Sequence, residues 1–451
     1  MEKAFRGIEK MKKYEILYDW PIAEIKRLVD SDIAENYADN LIEPNLSLFV
    51  TLTEKMRTLG EELLVVKAAR NHFTKWTELY SCVLEFSHNF ANFPEPSVEK
   101  LKLSLIFADK LSTSFPQLDE EEIDENTFEL RELAQRIPLK WFSRENSQSI
   151  VNSVVIFACD DHQEVRSEIT SSIISPSLMF HLMAALNTGH LPASQAILVK
   201  RANPSIENSA VSAFARLAVI ATGKPVHSAR KYERVPSVLN FDRIKPGESY
   251  QQWNDVLNVL SEYNSRDEIL LKFLTIYHAI ENFMFKRPIV ELERQKVGMM
   301  FSIRDFRRLY DGVEIGDSDA LKKLFKSVFD MEVQPGITFK RHLVRQWQGL
   351  SPRTDIDSAL RLIGLEFDYI QFNDNQALAN FSKLVYSVRN AIVHNKETEF
   401  HLTFDALDKN QGLCKLIENF LLPSLEEISF YLIGQPNDQF WYRSKEIQLY
   451  N

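Results

Sequence analysis

Glycine is the residue whose count most constrains the fold of this chain. Only 13 of the 451 residues are glycine, under half of the usual share of about 7%. Tight turns, bulges and phosphate-binding loops rely on glycine, because it has no Cβ and adopts backbone angles that other residues avoid. The scarcity therefore favours a mainly α fold over a barrel or a doubly wound sheet.

The length predicts more than one domain, since a domain usually has roughly 100–200 residues. We divide the chain into a helical N-terminal domain over 1–145, a middle module with a basic linker over 146–250, and a helical domain over 251–451. In the middle region, the apolar runs 154–158 and 197–199 are typical of β-strands. They predict either a small α/β module or more helical bundle, because such short runs do not distinguish a strand from a buried helix.

The charge balance is acidic, with 53 basic and 63 acidic residues and a formal net charge of −10. Such a chain has no overall positive field for nucleic acid, so any RNA contact must be local. The segment 223–247 is rich in proline, lysine and arginine. It indicates either a solvated linker or a local RNA contact, and the linker is the simpler interpretation.

The three cysteines, Cys82, Cys159 and Cys414, lie far apart in the sequence. They form neither a metal-binding nor a disulfide pattern, which is typical of a reduced, intracellular protein. Residues 1–20 mix Lys, Arg and Glu without an apolar core, unlike a signal peptide. No apolar stretch has the roughly 18 residues that a membrane helix needs. We therefore expect a cytoplasmic protein without membrane segments.

Helical signals are strongest after residue 251. The tetrapeptide Ser-Arg-Asp-Glu at 265–268 has the spacing of a capping box, in which the Ser and Glu side chains each accept a hydrogen bond from a backbone amide. It predicts the start of a helix that continues through Phe283. Three more amphipathic helices are predicted over 318–329, 376–394 and 413–433, the last with a kink at Pro423. Four such helices predict a bundle.

Most sequence motifs of catalytic sites are absent. The chain has no P-loop, no dinucleotide-binding glycine motif, no His-Glu-x-x-His and no paired Cys-x-x-Cys. Asp160, Asp161 and His162 follow a predicted strand and suit either a metal site or, more simply, a polar loop. We predict no cofactor and no resident metal.

The helix over 376–394 carries polar residues in an unusual place. Its apolar positions are spaced three and four residues apart and form one core-facing stripe: Leu378, Phe381, Val385, Val388 and Ile392. At 100° per residue, Asn390 and His394 lie nearly opposite this stripe, and Arg389 lies on its flank. We therefore expect His394 to face a surface rather than the core of its own bundle.

The sequence Arg389-Asn390-x-x-x-His394 resembles the signature of the HEPN superfamily in its nuclease form, Arg-Asn-x-x-x-His. The resemblance covers about residues 255–451 and includes a preceding helix about a hundred residues upstream. It implies a HEPN-like helical bundle. The span 288–375 is longer than a minimal HEPN bundle needs, so an insertion is expected there.

The resemblance implies an RNA-cutting enzyme that needs no metal. His394 would take the proton of an RNA 2′-hydroxyl, since an unperturbed imidazole titrates near pH 6.5. Arg389 would bind the phosphate, and Asn390 would position the phosphate or the histidine. In the family, two protomers form one cleft, so a homodimer is expected. The implied roles are toxin or abortive-infection effector, with tRNA or mRNA as substrate, the N-terminal half as sensor or regulator, and a regulatory protein or antitoxin as partner.

Two alternatives to the nuclease remain open. One is a non-catalytic HEPN binding or scaffolding module in a defence or toxin–antitoxin complex, and the other is an unrelated helical protein with a chance match. Retention of Arg389, Asn390 and His394 together favours the enzyme, because HEPN domains without activity usually lose the motif.

Further candidate residues lie outside the motif. The basic residues Lys340, Arg341 and Arg345, with Trp347, suit an RNA backbone and a stacked base. An ordinary solvated helix face explains them as well. Glu281, in the first helix of the predicted bundle, is a candidate to hold Arg389 in place, although a plain surface glutamate is the simpler interpretation.

Overall fold

A computed structural model of the chain describes residues 10–94, 97–114, 122–146, 148–201, 207–232, 244–295, 302–313, 316–394 and 400–443. Helices account for 64% and strands for 8%, so the predicted mainly α fold is confirmed. The chain divides into two compact units, 1–226 and 227–451, where the sequence suggested three regions. Among the described residues, no helix has the length and apolar character needed to cross a bilayer.

The first unit contains eight helices and six strands within its described residues. The helices are α1 (Lys13–Val29), α2 (Asp32–Ala38), α3 (Asn45–Ala68), α4 (Trp76–Asn89), α5 (Ser97–Ser114), α6 (His162–Ser171), α7 (Pro176–Thr188) and α8 (Asn208–Ile220). The strands are β1 (Lys10–Lys12), β2 (Glu122–Asp124), β3 (Phe128–Glu132), β4 (Trp141–Arg144), β5 (Val154–Ala158) and β6 (Gln195–Lys200).

Four of these strands form an antiparallel sheet in the order β3-β6-β5-β4, with Val155 opposite Leu198. Alternate residues of β5 pack on opposite faces. Val155 and Phe157 contact the core of the large helical layer, whereas Ile156 packs with α8. Burial on both faces explains the two continuous apolar runs in the sequence. The middle region therefore contains strands, as the α/β alternative predicts, rather than more helical bundle. The sheet also includes β3 and β4, which lie before residue 146.

The second unit is almost entirely helical. Its elements are α9 (Asn254–Ser265), α10 (Ile269–Gln295), α11 (Ile303–Val313), α12 (Asp317–Phe329), β7 (Glu332–Gln334), β8 (Ile337–Thr338), α13 (Phe339–Gln348), α14 (Arg353–Leu362), α15 (Ala377–Val393), α16 (Phe404–Lys409), α17 (Gln411–Leu416) and α18 (Leu422–Gly434). All four predicted helices of this region are present, in the form of α10, α12, α15 and the pair α17 and α18. Much of the predicted linker, 233–243, lies outside the described residues.

The predicted capping box is wrong. Ser265 is the last residue of α9, and its hydroxyl donates to the Glu262 carbonyl at 2.8 Å. Helix α10 begins only at Ile269, whose amide donates to the Arg230 carbonyl at 3.0 Å. A backbone pairing from a distant segment therefore takes the place of the local side-chain cap.

The helix over 413–433 is interrupted near Pro423 as predicted, but by a π-helical turn instead of a kink. A π-helical turn, Ile417–Leu421, separates α17 from α18. Proline has no amide hydrogen, so it cannot continue the α-helical hydrogen-bond pattern, and a π turn is one of the ways in which a helix accommodates such a break. The disruption lies in the core, since Phe420, Leu421 and Leu422 are all fully buried.

Candidate functional site

Helix α15 is held firmly by its apolar face. Phe381, Val385 and Val388 are fully buried, as the stripe predicts. The ring of Phe381 lies 4.8 Å from that of Phe325 on α12 and 5.9 Å from that of Phe420 in the π turn. Contacts with two other elements fix the rotation of α15 about its axis, and with it the direction of the polar residues on the other side.

The three motif residues meet at the C-terminal end of α15. One guanidinium nitrogen of Arg389, Nη1, donates to Oδ1 of Asn390 at 3.1 Å and lies 3.3 Å from Nε2 of His394. Arg389 and Asn390 are half-buried, while His394 is exposed and is the residue that caps the helix. The expectation that His394 faces away from its own core is confirmed.

The contact between Arg389 and His394 limits how the two side chains can be hydrogen-bonded. A guanidinium has only donors. A hydrogen bond from Arg389 therefore needs Nε2 of His394 to be unprotonated, with the hydrogen of the neutral ring on Nδ1. The Nε2 of the imidazole lies next to the cation, so a candidate base and an anion-binding group are adjacent.

Tyr277 of α10 supports the arginine from the core side. The Arg389 guanidinium lies over its ring, 5.7 Å from the centroid. The tyrosine is only 1% exposed, and its hydroxyl has no hydrogen-bond partner among the described residues. Burial raises the pKa of Tyr277, with a further rise from Glu281 and an opposing effect from Arg389. A cation over an aromatic face is favourable, especially where water is largely excluded.

Glu281 lies near Arg389 but does not bind it. The carboxylate is half-buried, and burial raises its pKa, while electrostatic interactions with His278 and Arg389 oppose that rise. No hydrogen bond or ion pair joins Glu281 to Arg389 within the described part of the chain. The predicted pairing is therefore reduced to an electrostatic attraction. Asp317, at the start of α12, adds a further negative charge to this cluster.

A second segment contacts the last turn of α15. The amide of the buried Leu402 donates to the carbonyl of Ala391 at 2.7 Å. The preceding residue, His401, has a buried Nδ1 without a hydrogen-bond partner among the residues described. This histidine was not singled out from the sequence, because its relation to α15 depends on a backbone contact that no local pattern shows.

The basic residues of α13 form no hydrogen bond or ion pair with the motif within the described residues. Arg341 and Arg345 are exposed and Lys340 is half-buried, and none of the three side chains has an ion pair or hydrogen bond within the described regions. The idea that Trp347 stacks on a base is wrong. Its ring is fully buried, lies 4.4 Å from Phe372 in a stacked arrangement, and donates from Nε1 to the Tyr369 carbonyl at 2.9 Å.

The acidic residues after β5 are paired within the first unit. Asp160 accepts hydrogen bonds from Arg136 at 2.7 and 3.1 Å, and Asp161 accepts one from Lys140 at 2.7 Å. These contacts favour the polar loop over the metal site. Across the described ranges, no group of three or more His, Cys, Asp and Glu side chains is close enough to hold a metal ion.

The polar cluster at the end of α15 contains more residues than the sequence indicated. Tyr277 and Asp317 were missed, because each belongs to a different helix and only the packing of α10 and α12 against α15 brings them together. Comparisons with protein-family models, with curated proteins and with solved structures gave no match to this chain.

Proposed function

We propose that the chain is a metal-independent endoribonuclease of the HEPN type, acting in the cytoplasm as a toxin or abortive-infection effector. The observation that carries the proposal is the contact of one Arg389 nitrogen with both Asn390 and His394, at 3.1 and 3.3 Å. It brings a base, a phosphate-binding cation and an amide together on a surface. The first unit would then sense the trigger or regulate the nuclease.

RNA supplies its own nucleophile for this reaction. In the proposed mechanism, Arg389 leaves His394 and binds the scissile phosphate through its planar fork of donors. The freed Nε2 of His394 accepts the proton of the 2′-hydroxyl, and the 2′-oxygen attacks phosphorus. The bond from phosphorus to the 5′-oxygen breaks, which gives a 2′,3′-cyclic phosphate and a 5′-hydroxyl.

The nitrogen of the Asn390 amide suits a supporting role. Its oxygen accepts from Arg389, which leaves the NH₂ group free to donate to a phosphate oxygen. Charge that builds on the phosphate in the transition state is then stabilised by two groups fixed on one helix end.

A second copy of the chain would complete the site. The departing 5′-oxygen needs a proton, and the one histidine of the motif has just accepted one. His394 is exposed, and water screens an isolated pair of charged groups. Two-fold pairing of the motif surfaces would supply a second imidazole as the acid and would exclude water, and such pairing is the commonest form of soluble assembly.

The experiment compares purified wild-type protein with His394→Ala and Arg389→Ala on single-stranded RNA. Loss of a general base or of a phosphate clamp typically lowers a rate by about 10²–10⁴, so both variants should be nearly inactive. His190→Ala is the control, because His190 is an exposed histidine of the first unit. Undiminished cleavage by both motif variants would show that the site lies elsewhere. RNA binding without cleavage by any form would favour the non-catalytic binding module.

A further inference from the structure

A groove runs along α15 next to the motif. Two adjoining cavities, of about 460 and about 350 Å³, share Gly364, Tyr386 and Ser387 among their lining residues. Because they share these residues, the two cavities lie side by side, and we call them together the groove. Each has the size of a small-molecule site, roughly 300–1,000 Å³.

One wall of the groove is a single face of α15. The helix residues that line it are spaced three and one residues apart, which places them on one side: Lys383, Tyr386, Ser387, Asn390 and Ala391. Asn390 is also a motif residue. The groove therefore reaches the motif at Asn390 and extends from there along the helix to Lys383.

The opposite wall is fixed by the turn that ends α14. Gly364 has a φ of +76°, a left-handed angle that favours glycine. Its amide donates to the Arg361 carbonyl at 3.1 Å, and the amide of Leu365 donates to the Leu360 carbonyl at 2.9 Å. This is the hydrogen-bond pattern of a Schellman cap. The wall is thus held by backbone hydrogen bonds, and the groove is formed before any ligand binds.

The lining of the groove suits a neutral aromatic ring better than a phosphate. Among the described residues that line it, Lys383 and Glu366 are the charged ones, and their charges cancel. The rings of Phe367, Tyr386 and Phe400 are half-buried and line the walls together with hydroxyl and amide groups. Stacking on aromatic side chains and hydrogen bonding to polar groups is how proteins bind unstacked nucleobases.

We infer that this groove binds the bases of single-stranded RNA next to the bond that is cut, while Arg389 binds the phosphate. The inference rests on the proposed function, because Asn390 connects the groove to the motif. A base in a duplex is stacked and paired, so it cannot enter such a groove. The expected ligand is therefore a loop or another unpaired stretch of RNA.

The test measures binding in a protein that cannot cut. Full-length His394→Ala protein is titrated into fluorescein-labelled single-stranded RNA of mixed sequence, and the Kd is read from fluorescence anisotropy. Adding Ser387→Tyr fills the groove without removing a core side chain, and adding Tyr386→Ala removes a stacking surface. Each should weaken binding about tenfold or more. Phe285→Ala is the control, because Phe285 is an aromatic residue of α10 that is 50% exposed and lines neither cavity.

The outcomes separate this inference from the proposed function. Unchanged affinity for RNA in a folded Ser387→Tyr protein overturns the inference that the groove binds bases. Cleavage of RNA by the wild type would in that case still support the proposed nuclease. An equal loss in Phe285→Ala, or equal affinity for duplex RNA, also overturns the groove. If the wild type does not cut RNA and His394→Ala does not bind it, both proposals fail. Circular dichroism melting of each variant shows whether it is folded. If Tyr386→Ala is not folded, the affinity of Ser387→Tyr alone decides the test.

Discussion

Lys286 should make the stability of the second unit depend on pH. Its side chain is only 2% exposed, and Nζ donates to the Gln252 carbonyl at 2.6 Å. The amine lies 3.4 Å from the centroid of the Trp253 ring and 4.8 Å from that of Tyr442. Burial lowers the pKa of Lys286 to about 7, against a weaker opposing effect of Asp255. The side chain therefore loses its charge near neutral pH in the folded protein.

The magnitude follows from the difference between the folded and the unfolded chain. An unfolded lysine keeps its proton up to about pH 10.4, so between about pH 7 and 10 the unfolded chain binds one proton more. A lysine pKa that is lowered by folding contributes stability that is present at high pH. This stability is lost as the pH falls through the pKa of the lysine in the folded protein. The free energy of unfolding should therefore rise by about 1.4 kcal/mol per pH unit over this range.

Lys286→Met should remove this slope, because methionine fills similar space without a charge. From about pH 7 to about pH 9, the stability of the wild type relative to the variant should increase by about 2–3 kcal/mol. Lys322→Met, at an exposed position of α12, is the control and should retain the slope.

The assay must report on the second unit alone, since a protein of two units need not unfold in one step. Cys414 is the buried cysteine of this unit, whereas Cys82 and Cys159 lie in the first. Pulse labelling of thiols at increasing urea, read by mass spectrometry of the Cys414 peptide, gives its unfolding curve. Parallel pH dependences for wild type and Lys286→Met would refute the reasoning.

Three further predictions concern Glu281, Gly364 and the oligomeric state. Burial raises the pKa of Glu281, so its favourable contribution to the stability of the second unit is present at acid pH and is lost as the pH rises. Glu281→Gln should therefore stabilise this unit at about pH 7 and not at about pH 4. If Cys414 labelling shows stabilisation at about pH 4 and not at about pH 7, the attraction to Arg389 outweighs the effect of burial. Gly364→Ala should lower the free energy of unfolding by about 1–2 kcal/mol, because alanine is strained at a φ of +76°; an unchanged urea midpoint would contradict this. Light scattering should give about twice the monomer mass of 52.3 kDa, and a stable monomer that cuts RNA would exclude the dimer.

The apolar pattern was sufficient to predict four helical regions of the second unit, which correspond to α10, α12, α15 and the pair α17 and α18. The stripe that includes Phe381, Val385 and Val388 defines α15 and the side of it that is buried. Such a pattern fixes which face meets the core, so it also fixed that His394 lies on the outside. Low glycine content likewise predicted the mainly α fold.

Local signals failed where distant backbone groups competed with them. Ser265 and Glu268 have the spacing of a cap, yet the amide of Ile269 pairs with the carbonyl of Arg230 instead. Trp347 looked like a stacking surface beside basic residues, but its helix has a buried side, and the ring belongs to that side. The pairing of Ile269 cannot be seen in a window of a few residues, whereas the apolar spacing of Phe339, Leu343 and Trp347 does indicate the buried side of α13.

The candidate site was only partly predictable for the same reason. Arg389, Asn390 and His394 are close in sequence, so a helix end brings them together. Tyr277 comes from α10 and its ring lies under Arg389 only because the two helices pack in one rotation. The groove also depends on the turn at Gly364, which no motif indicates.

The chemistry of the RNA ends tests the central claim most directly. Wild-type protein and His394→Ala are incubated with an oligoribonucleotide in EDTA, and the termini of the fragments are determined by mass spectrometry. The proposed mechanism predicts 2′,3′-cyclic phosphate and 5′-hydroxyl ends from the wild type, none from His394→Ala, and no cut where the 2′-hydroxyl is methylated. Cleavage that stops in EDTA and returns with Mg²⁺, leaving 5′-phosphate ends, would contradict it.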